Sequence, residues 1–307
     1  MNRIKSYSPF KIKNSKVLDN LDNIQERSLW TSALQRLLAN KAASISAVII
    51  FFLSVVCFVG PNFLDWSYDE IDWDLIEATS PSIENGHYFG TDSLGRDLLA
   101  RILQGGQVSF QVGVLATAVA VVIGITVGSL AGFLGGWVDQ LLMRTVDVLY
   151  VIPLMFFIII LMVIFGRNFY LMFIAIGFVE WLTMSRIVRA QTLSLKHKEF
   201  IDAARVSGSS TKKIILKHII PNILGVVVVY ITLTIPQVIL LESFLSFLGL
   251  GVQPPMTSWG ALISEGAQEM ETTPRTLILP ALFLSTTLFC FNFLGDGLRD
   301  ALDPRDR

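Results

Sequence analysis

Few residues in this chain combine the types and spacing that chemistry needs. His87 is followed closely by two carboxylates in the run His87-Tyr-Phe-Gly-Thr-Asp92-Ser-Leu-Gly95-Arg96-Asp97. A histidine beside carboxylates suggests a metal centre or an acid–base pair, but there is no second ligand at metal spacing, so a hydrogen-bonded, turn-rich loop is the better reading. Glu180 is the one acid inside a long apolar stretch. A carboxylate at the centre of a bilayer costs about 2.5–3.5 kcal/mol on insertion scales, which makes it a functional candidate; the structural alternative is a place near a helix end, neutral or paired with Arg186 or Arg189. A third pattern is mechanical: Asp202-Ala203-Ala204, then Gly208, then Pro221. Two short helices joined at a glycine form a small rigid knuckle that another protein can grip. The chain has no G-x-x-x-x-G-K-[ST] loop, no G-x-S-x-G elbow and no H-E-x-x-H pair, so it carries no ATP site of the P-loop type and no recognisable catalytic centre.

The elements that position these residues are membrane spans. Of the 307 residues, 52% are apolar and only 16% charged, where a soluble domain is about a quarter charged; the mean hydropathy is +0.59. A span needs about 20 mostly apolar residues, and six segments qualify. Ala42–Gly60, Val108–Trp137, Val148–Gly166, Ile219–Leu241 and Leu277–Leu294 carry no charge, and Phe169–Ser185 carries only Glu180. The polar, basic first forty residues do not resemble a cleavable signal peptide, so the first span is expected to direct insertion.

Orientation follows the basic residues. Residues 1–41 hold eight lysines and arginines and residues 186–220 hold eight more, whereas 61–107 has two against nine acids and 243–276 has only Arg275. Six spans with both termini in the cytoplasm satisfy every bias. The expected organisation is a cytoplasmic tail at 1–41, a first span at 42–60, an outer loop at 61–107 and a five-helix core at 108–307.

Gly124, Gly128, Gly132 and Gly136 recur every four residues, with Ser129 and Ala131 between them, and predict a smooth groove for close helix packing. Pro153, Pro221 and Pro236 predict bends, which suit both alternating and static bundles. Cys57 and Cys290 lie in apolar spans and read as buried small side chains. In the inner loop at 196–221, Phe200, Ala203, Ala204 and Ser207 share one helical face suited to a cleft. Gly208 fits a left-handed helix end, and Ser209 or Ser210 can cap a second helix over Lys212–Ile220. The outer stretch Ser243–Ile263 is too interrupted by glycine and proline to span, and is expected to lay a short helix across the outer mouth.

Together these residues resemble the inner-membrane permease subunits of peptide-importing ABC transporters. Their coupling motif reads E-A-A, three residues, G, nine residues, I-x-L-P. Here Asp202 stands for the usual Glu, Ala203 and Ala204 match, Gly208 and Pro221 keep the spacing, and His218 and Ile220 replace the Ile and Leu. His87–Asp97, Glu242–Gly251 with Ser258-Trp259-Gly260, and Asn292 through Asp296, Arg299 and Pro304 are similar to the peptide and nickel branch. So is Ser28-Leu-Trp30 ahead of Leu37–Ala43, and Thr286 through Phe293 is most similar to C-type subunits of oligopeptide permeases.

The resemblance implies an all-α membrane protein of six transmembrane helices, N-in and C-in, with the type I importer fold and a cytoplasmic coupling helix. It implies a non-catalytic subunit of the bacterial inner membrane that pairs with a second homologous permease. Two ATP-binding subunits would hold ATP and Mg, with no cofactor in this chain, and a periplasmic or lipid-anchored peptide-binding protein would deliver substrate; no nucleic acid is involved. Glu199, Asp202, Ala203, Ala204, Arg205 and Gly208 are the expected contacts to the ATPase. Glu180, Glu242 and Asn292 are the candidate polar groups of the pathway. Dipeptide, murein-peptide and nickel importers share these motifs, and a stand-alone secondary carrier is the reading from another class.

Overall fold

The computed structural model describes residues 29–75 and 79–302; most of the basic tail, with Ser28, and the C-terminal residues 303–307, with Pro304, lie outside the described residues. Among the described residues the protein is helical, with three isolated β-bridges in place of a sheet. The elements run α1 (Leu29–Ala39), α2 (Lys41–Val59), α3 (Leu98–Leu134), α4 (Gly136–Val151), α5 (Leu154–Phe165), α6 (Phe169–Leu195), α7 (Glu199–Val206), α8 (Thr211–Ile214), α9 (Ile220–Phe247), α10 (Trp259–Gln268) and α11 (Arg275–Leu302). Five helical stretches are long and apolar enough to cross a membrane: α2, α3, α6, α8 through α9, and α11.

The sixth expected span, Val148–Gly166, is broken. Gly136–Val151 and Met155–Phe165 meet at 83°, so a straight helix over 148–166 does not exist. Pro153 lacks a backbone donor and forces its predecessor out of the α region; Ile152 is extended, with φ −71° and ψ 127°. Taken as one bent span, the pair gives the expected six. Other boundaries move as well, with α6 running on to Leu195 and α11 to Leu302. α3 begins at Leu98, ten residues before the charge-free stretch, because Asp97 caps it by accepting from the Ala100 N–H at 2.6 Å. α9 continues past Leu241 to Phe247.

The glycine groove is real and slightly shorter than expected. A Cβ at Gly128 would sit 2.5 Å from the Ser185 carbonyl oxygen and one at Gly132 2.9 Å from that of Arg189, while Gly124 faces Met184. α6 reciprocates with Gly177, whose Cβ would lie 2.6 Å from the Ala116 carbonyl oxygen. These gaps let two backbones approach to dispersion contact along their length. Gly136 takes no part: it lies beyond the end of α3 and starts α4 with φ +55°. Around this α3–α6 pair, α9 and α11 complete the bundle. α2 lies outermost, burying only Ala43, Ser46 and Cys57 and exposing Ile45, Val48, Phe51 and Phe52, as a lipid-facing helix does.

The two ends of the bundle differ in chemistry. At the acidic end, the loop before α3 folds onto α10 and the start of α11. His87 is fully buried between two carboxylates, Nδ1 at 2.9 Å from Asp97 and Nε2 at 3.3 Å from Asp72, and stacks on Trp66 at 4.7 Å. Arg101 donates to Asp92 at 2.5 Å and to Glu265 of α10 at 2.8 and 3.2 Å. Arg275 donates to the Thr79 carbonyl. Trp259, fully buried, donates to the Ile102 carbonyl at 3.0 Å and packs edge-on against Phe110. His87, Asp92 and Asp97 thus form the hydrogen-bonded loop expected of them. The stretch Ser243–Ile263, expected to lay down one short helix, is divided instead: its first five residues continue α9, and only from Trp259 does the short helix α10 form, capped by Ser258 accepting from the Ala261 N–H.

Candidate functional site

At the basic end α7 stands clear of the bundle, fastened by few contacts. Its eight residues begin at Glu199, after an N-cap residue, Lys198, that makes no side-chain capping bond. Ile201 is the one buried residue of the helix, and it enters an apolar cluster with Val188, Ile214, Ile215, Ile219 and Ile223. Ala204 packs half-buried against the same cluster. The opposite face is open: Glu199, Phe200, Asp202, Ala203, Arg205 and Val206 are all exposed, Val206 at 89%.

The end of α7 is the predicted left-handed cap. Gly208 has φ +76°, its N–H donates to the Arg205 carbonyl at 2.9 Å, and the Ser209 N–H reaches back to Ala204 at 3.0 Å. This pair of bonds is a Schellman motif. Of the two serines proposed to cap the next helix, Ser210 does so, accepting from the Lys213 N–H at 3.4 Å. A separate helix over Lys212–Ile220, as expected from the sequence, does not form. After the α8 turn, Ile215–Ile219 forms a π turn that runs directly into α9. Pro221 cannot donate to the carbonyl four residues back and crowds it; a wider turn relieves both problems.

Asp202, in the place of the motif's Glu, pairs with Arg205 on its own helix at 3.0 Å, both side chains largely exposed. Arg205 also lies over the Phe133 ring at 5.4 Å, and Lys196 over the same ring at 5.9 Å. Phe133, at the end of α3, thereby ties two cations of the knuckle to the α3–α6 pair. The sequence reading missed Ile201 and Phe133; the apolar residue between Phe200 and Asp202 was the available signal for the first.

The three polar candidates do not share one place. Glu242 is completely buried, accepting from Ser246 at 2.7 Å, Ser109 at 3.1 Å and Ser243 at 3.4 Å, so that its carboxylate stitches α9 to α3. Asn292 donates to the Leu288 carbonyl of its own helix at 2.9 Å and is exposed on α11. Glu180 opens into a cavity of about 110 Å³ between α6 and α9, lined also by Thr183, Tyr230, Thr234 and Gln237. Neither arginine reaches it: Arg186 pairs with Asp147 at 2.8 Å, and Arg189 holds Asp139 through two bonds of 2.5 and 2.6 Å. The pairing alternative for Glu180 therefore fails. Tyr230, Thr234 and Gln237 fall at i, i+4 and i+7 in α9, a polar stripe the sequence displays and the reading passed over.

Residues 124–307 match the family described as binding-protein-dependent transport system inner membrane component, and residues 28–81 match the N-terminal TM domain of oligopeptide transport permease C. The chain is 55% identical over 298 residues to the oligopeptide transport system permease protein OppC of Escherichia coli (strain K12), covering 96% of this chain and 98% of that one. It is 52% identical over 305 residues to the protein of the same name in Haemophilus influenzae, covering 97% and 98%. With the dipeptide transport system permease protein DppC of Bacillus subtilis (strain 168) it shares 40% over 289 residues, covering 93% and 89%. Among solved structures it is similar to an inward-facing conformation of the MetNI methionine ABC transporter, with a TM-score of 0.53 and 16% identity over 66% of this chain and 96% of that one; at this identity the likeness concerns the fold.

Proposed function

The chain belongs to the family of binding-protein-dependent transport system inner membrane components, and from that premise we propose that it is a transmembrane subunit of an ATP-driven importer of oligopeptides, moved by partner ATPases through α7. The basic end faces the cytoplasm of a bacterium and the acidic end faces outward, in accord with the distribution of lysine and arginine. A second, homologous permease completes the pathway, two ATP-binding subunits hold ATP and Mg, and a peptide-binding protein docks on the acidic end.

The observation that carries this reading is the construction of α7. A helix that buries one isoleucine inward and presents Phe200, Ala203 and Val206 outward has an unpartnered apolar face ringed by Glu199, Asp202 and Arg205. Such a face suits a groove on a soluble partner, with the charges at its rim. The Asp202–Arg205 pair is exposed and worth little, well under about 1 kcal/mol, so a partner can exchange it for its own contacts. Ala203 lets the helix sit deep, Ala204 faces the protein's own core, and the Gly208 cap fixes where the knuckle turns.

The oligopeptide assignment draws on the relatives at 55% and 52% identity; the dipeptide relative at 40% makes shorter peptides the second reading. The test is reconstitution of the assembled importer in liposomes with Gly208→Leu in this chain. Peptide uptake per ATP hydrolysed is expected to fall at least tenfold. Retained coupling would remove α7 from the drive path, and absence of peptide uptake by the unaltered complex would remove the substrate assignment.

A further inference from the structure

The cavity at Glu180 deepens the proposal of peptide import, and the role assigned to it here rests on that proposal. Glu180 lies eleven residues from the Phe169 end of α6, and Gln237 ten residues from the Phe247 end of α9. At 1.5 Å per residue both are about 15–17 Å below the acidic end, near the middle of a hydrocarbon layer about 30 Å thick. Thr183 and Gln237 are exposed on the surface there, and Glu180, Tyr230 and Thr234 are half-buried. Hydrocarbon does not solvate a carboxylate, an amide and hydroxyl groups clustered on one face. This face therefore borders an aqueous path or another subunit.

The composition of the cavity narrows the ligand. It holds one carboxylate and no cation, because Arg186 and Arg189 are committed to Asp147 and Asp139. Glu180 has no hydrogen bond or ion pair among the described residues. One carboxylate is too few for a metal ion, and no cluster of three metal-ligating side chains occurs among the described residues. The cavity also offers no second acid for a proton relay. A primary ammonium fits: it has three donors in a tetrahedral fan, and Glu180, the Thr234 hydroxyl and the Gln237 carbonyl are acceptors, as is the Thr183 hydroxyl, which also pairs with the Tyr150 hydroxyl at 3.1 Å. Size agrees. At about 110 Å³ the cavity has room for several waters, and so for an amine and its first carbon atoms.

We propose that the cavity between α6 and α9 is a midplane subsite for the protonated primary amine of the passing peptide, with Glu180 as its charged acceptor. The subsite then favours a free amino terminus without reading sequence, since every unmodified peptide has one; a lysine side chain supplies the same group.

The test compares the unaltered complex with Glu180→Gln and Glu180→Asp, reconstituted with partners and a peptide-binding protein. Uptake is measured for a free tripeptide, its N-acetylated form and an N-acetylated tripeptide containing lysine, each at a concentration saturating the binding protein. The ratio of free to acetylated uptake is expected to fall about tenfold in Glu180→Gln, the size of one charge-assisted hydrogen bond, and to fall less in Glu180→Asp. Rescue of uptake by the lysine-containing acetylated peptide assigns the subsite to any primary amine; absence of rescue assigns it to the amino terminus. An unchanged ratio in Glu180→Gln overturns the proposal while leaving peptide import intact. Failure of both variants to assemble overturns it too, by making Glu180 a contact between subunits. If the unaltered complex imports no peptide, the proposal falls with the broader reading.

Discussion

The acidic and basic ends of this bundle are fastened by opposite means. At the acidic end, Arg101 is only 3% exposed and joins Asp92 to Glu265, His87 is enclosed by two carboxylates, and Glu242 gathers three serines. Every one of these bonds is directional and fails when its geometry shifts. At the basic end, α7 is held by Ile201 in an apolar cluster, by the cation–π contact of Arg205 with Phe133 and by its glycine cap. Burial of Ile201 is non-directional, so the helix can rock by small angles and keep its seat. One end is held in a fixed shape, and the other stays attached while remaining free to rock.

The largest expected effect is at the acidic end. Arg101→Met leaves the buried Asp92 with Arg96 as its remaining cation, and removing one partner of a buried ion pair costs about 3–5 kcal/mol. The exposure of Glu265 and the survival of Arg96 place the expectation near about 3 kcal/mol. Denaturation in detergent measures it; a loss below about 1 kcal/mol would mean the network does not hold this end. Next is Ile201→Ala, which removes the seat of α7. Emptying a fully buried isoleucine site costs about 2–5 kcal/mol, and because α7 touches the bundle through little else, the loss should be local. Hydrogen exchange should accelerate over 199–208 and ATP use per peptide should rise, with the spans unaltered; global unfolding would show that the two ends are equally rigid. Smaller still is Gly208→Ala. A Cβ there meets nothing within 4 Å, so the cost is the left-handed backbone alone, about 1 kcal/mol. Gly208→Asn should cost less, because Asn tolerates that conformation, and a comparison of the two in the coupling assay isolates the cap.

Much of this contrast was legible from local chemistry. Apolar length gave the spans, four-residue glycine spacing gave the α3–α6 groove, and a glycine four residues after Ala204 gave the α7 cap, because each depends on neighbours in sequence. Glu242 and Arg101 show why the rest was hidden: their partners, Ser109 and Glu265, are 133 and 164 residues away. Pro153 marked the bend, but its sharpness within an apparent span was hidden for a different reason. The uninterrupted apolar run carried the length of a span, and hydropathy does not register that Ile152 must be extended before a proline. At Glu180, the nearness of Arg186 and Arg189 in sequence suggested pairing, but Asp147 and Asp139 across the α4–α6 contact take both arginines.

The subtlest test asks whether charge itself holds the acidic end. Burial, the largest influence, raises the pKa of Asp97 above its ordinary 3.8, against the Ala100 N–H and His87, which lower it. A carboxyl with a raised pKa in the folded state binds its proton more tightly there than in the unfolded chain. Stability from this group therefore falls as pH rises from 3.8 through the raised value, and returns as pH falls back through the same window. Above the window both states are ionised and the burial penalty is complete. Asp97→Asn keeps an oxygen to cap α3 but has no proton to exchange. Melting temperatures in detergent between pH 7 and pH 4 should therefore show the unaltered protein gaining on Asp97→Asn as the solution is acidified. If it loses ground instead, the bonds to His87 and Ala100 outweigh burial, and the acidic end is tied by charge more than by enclosure.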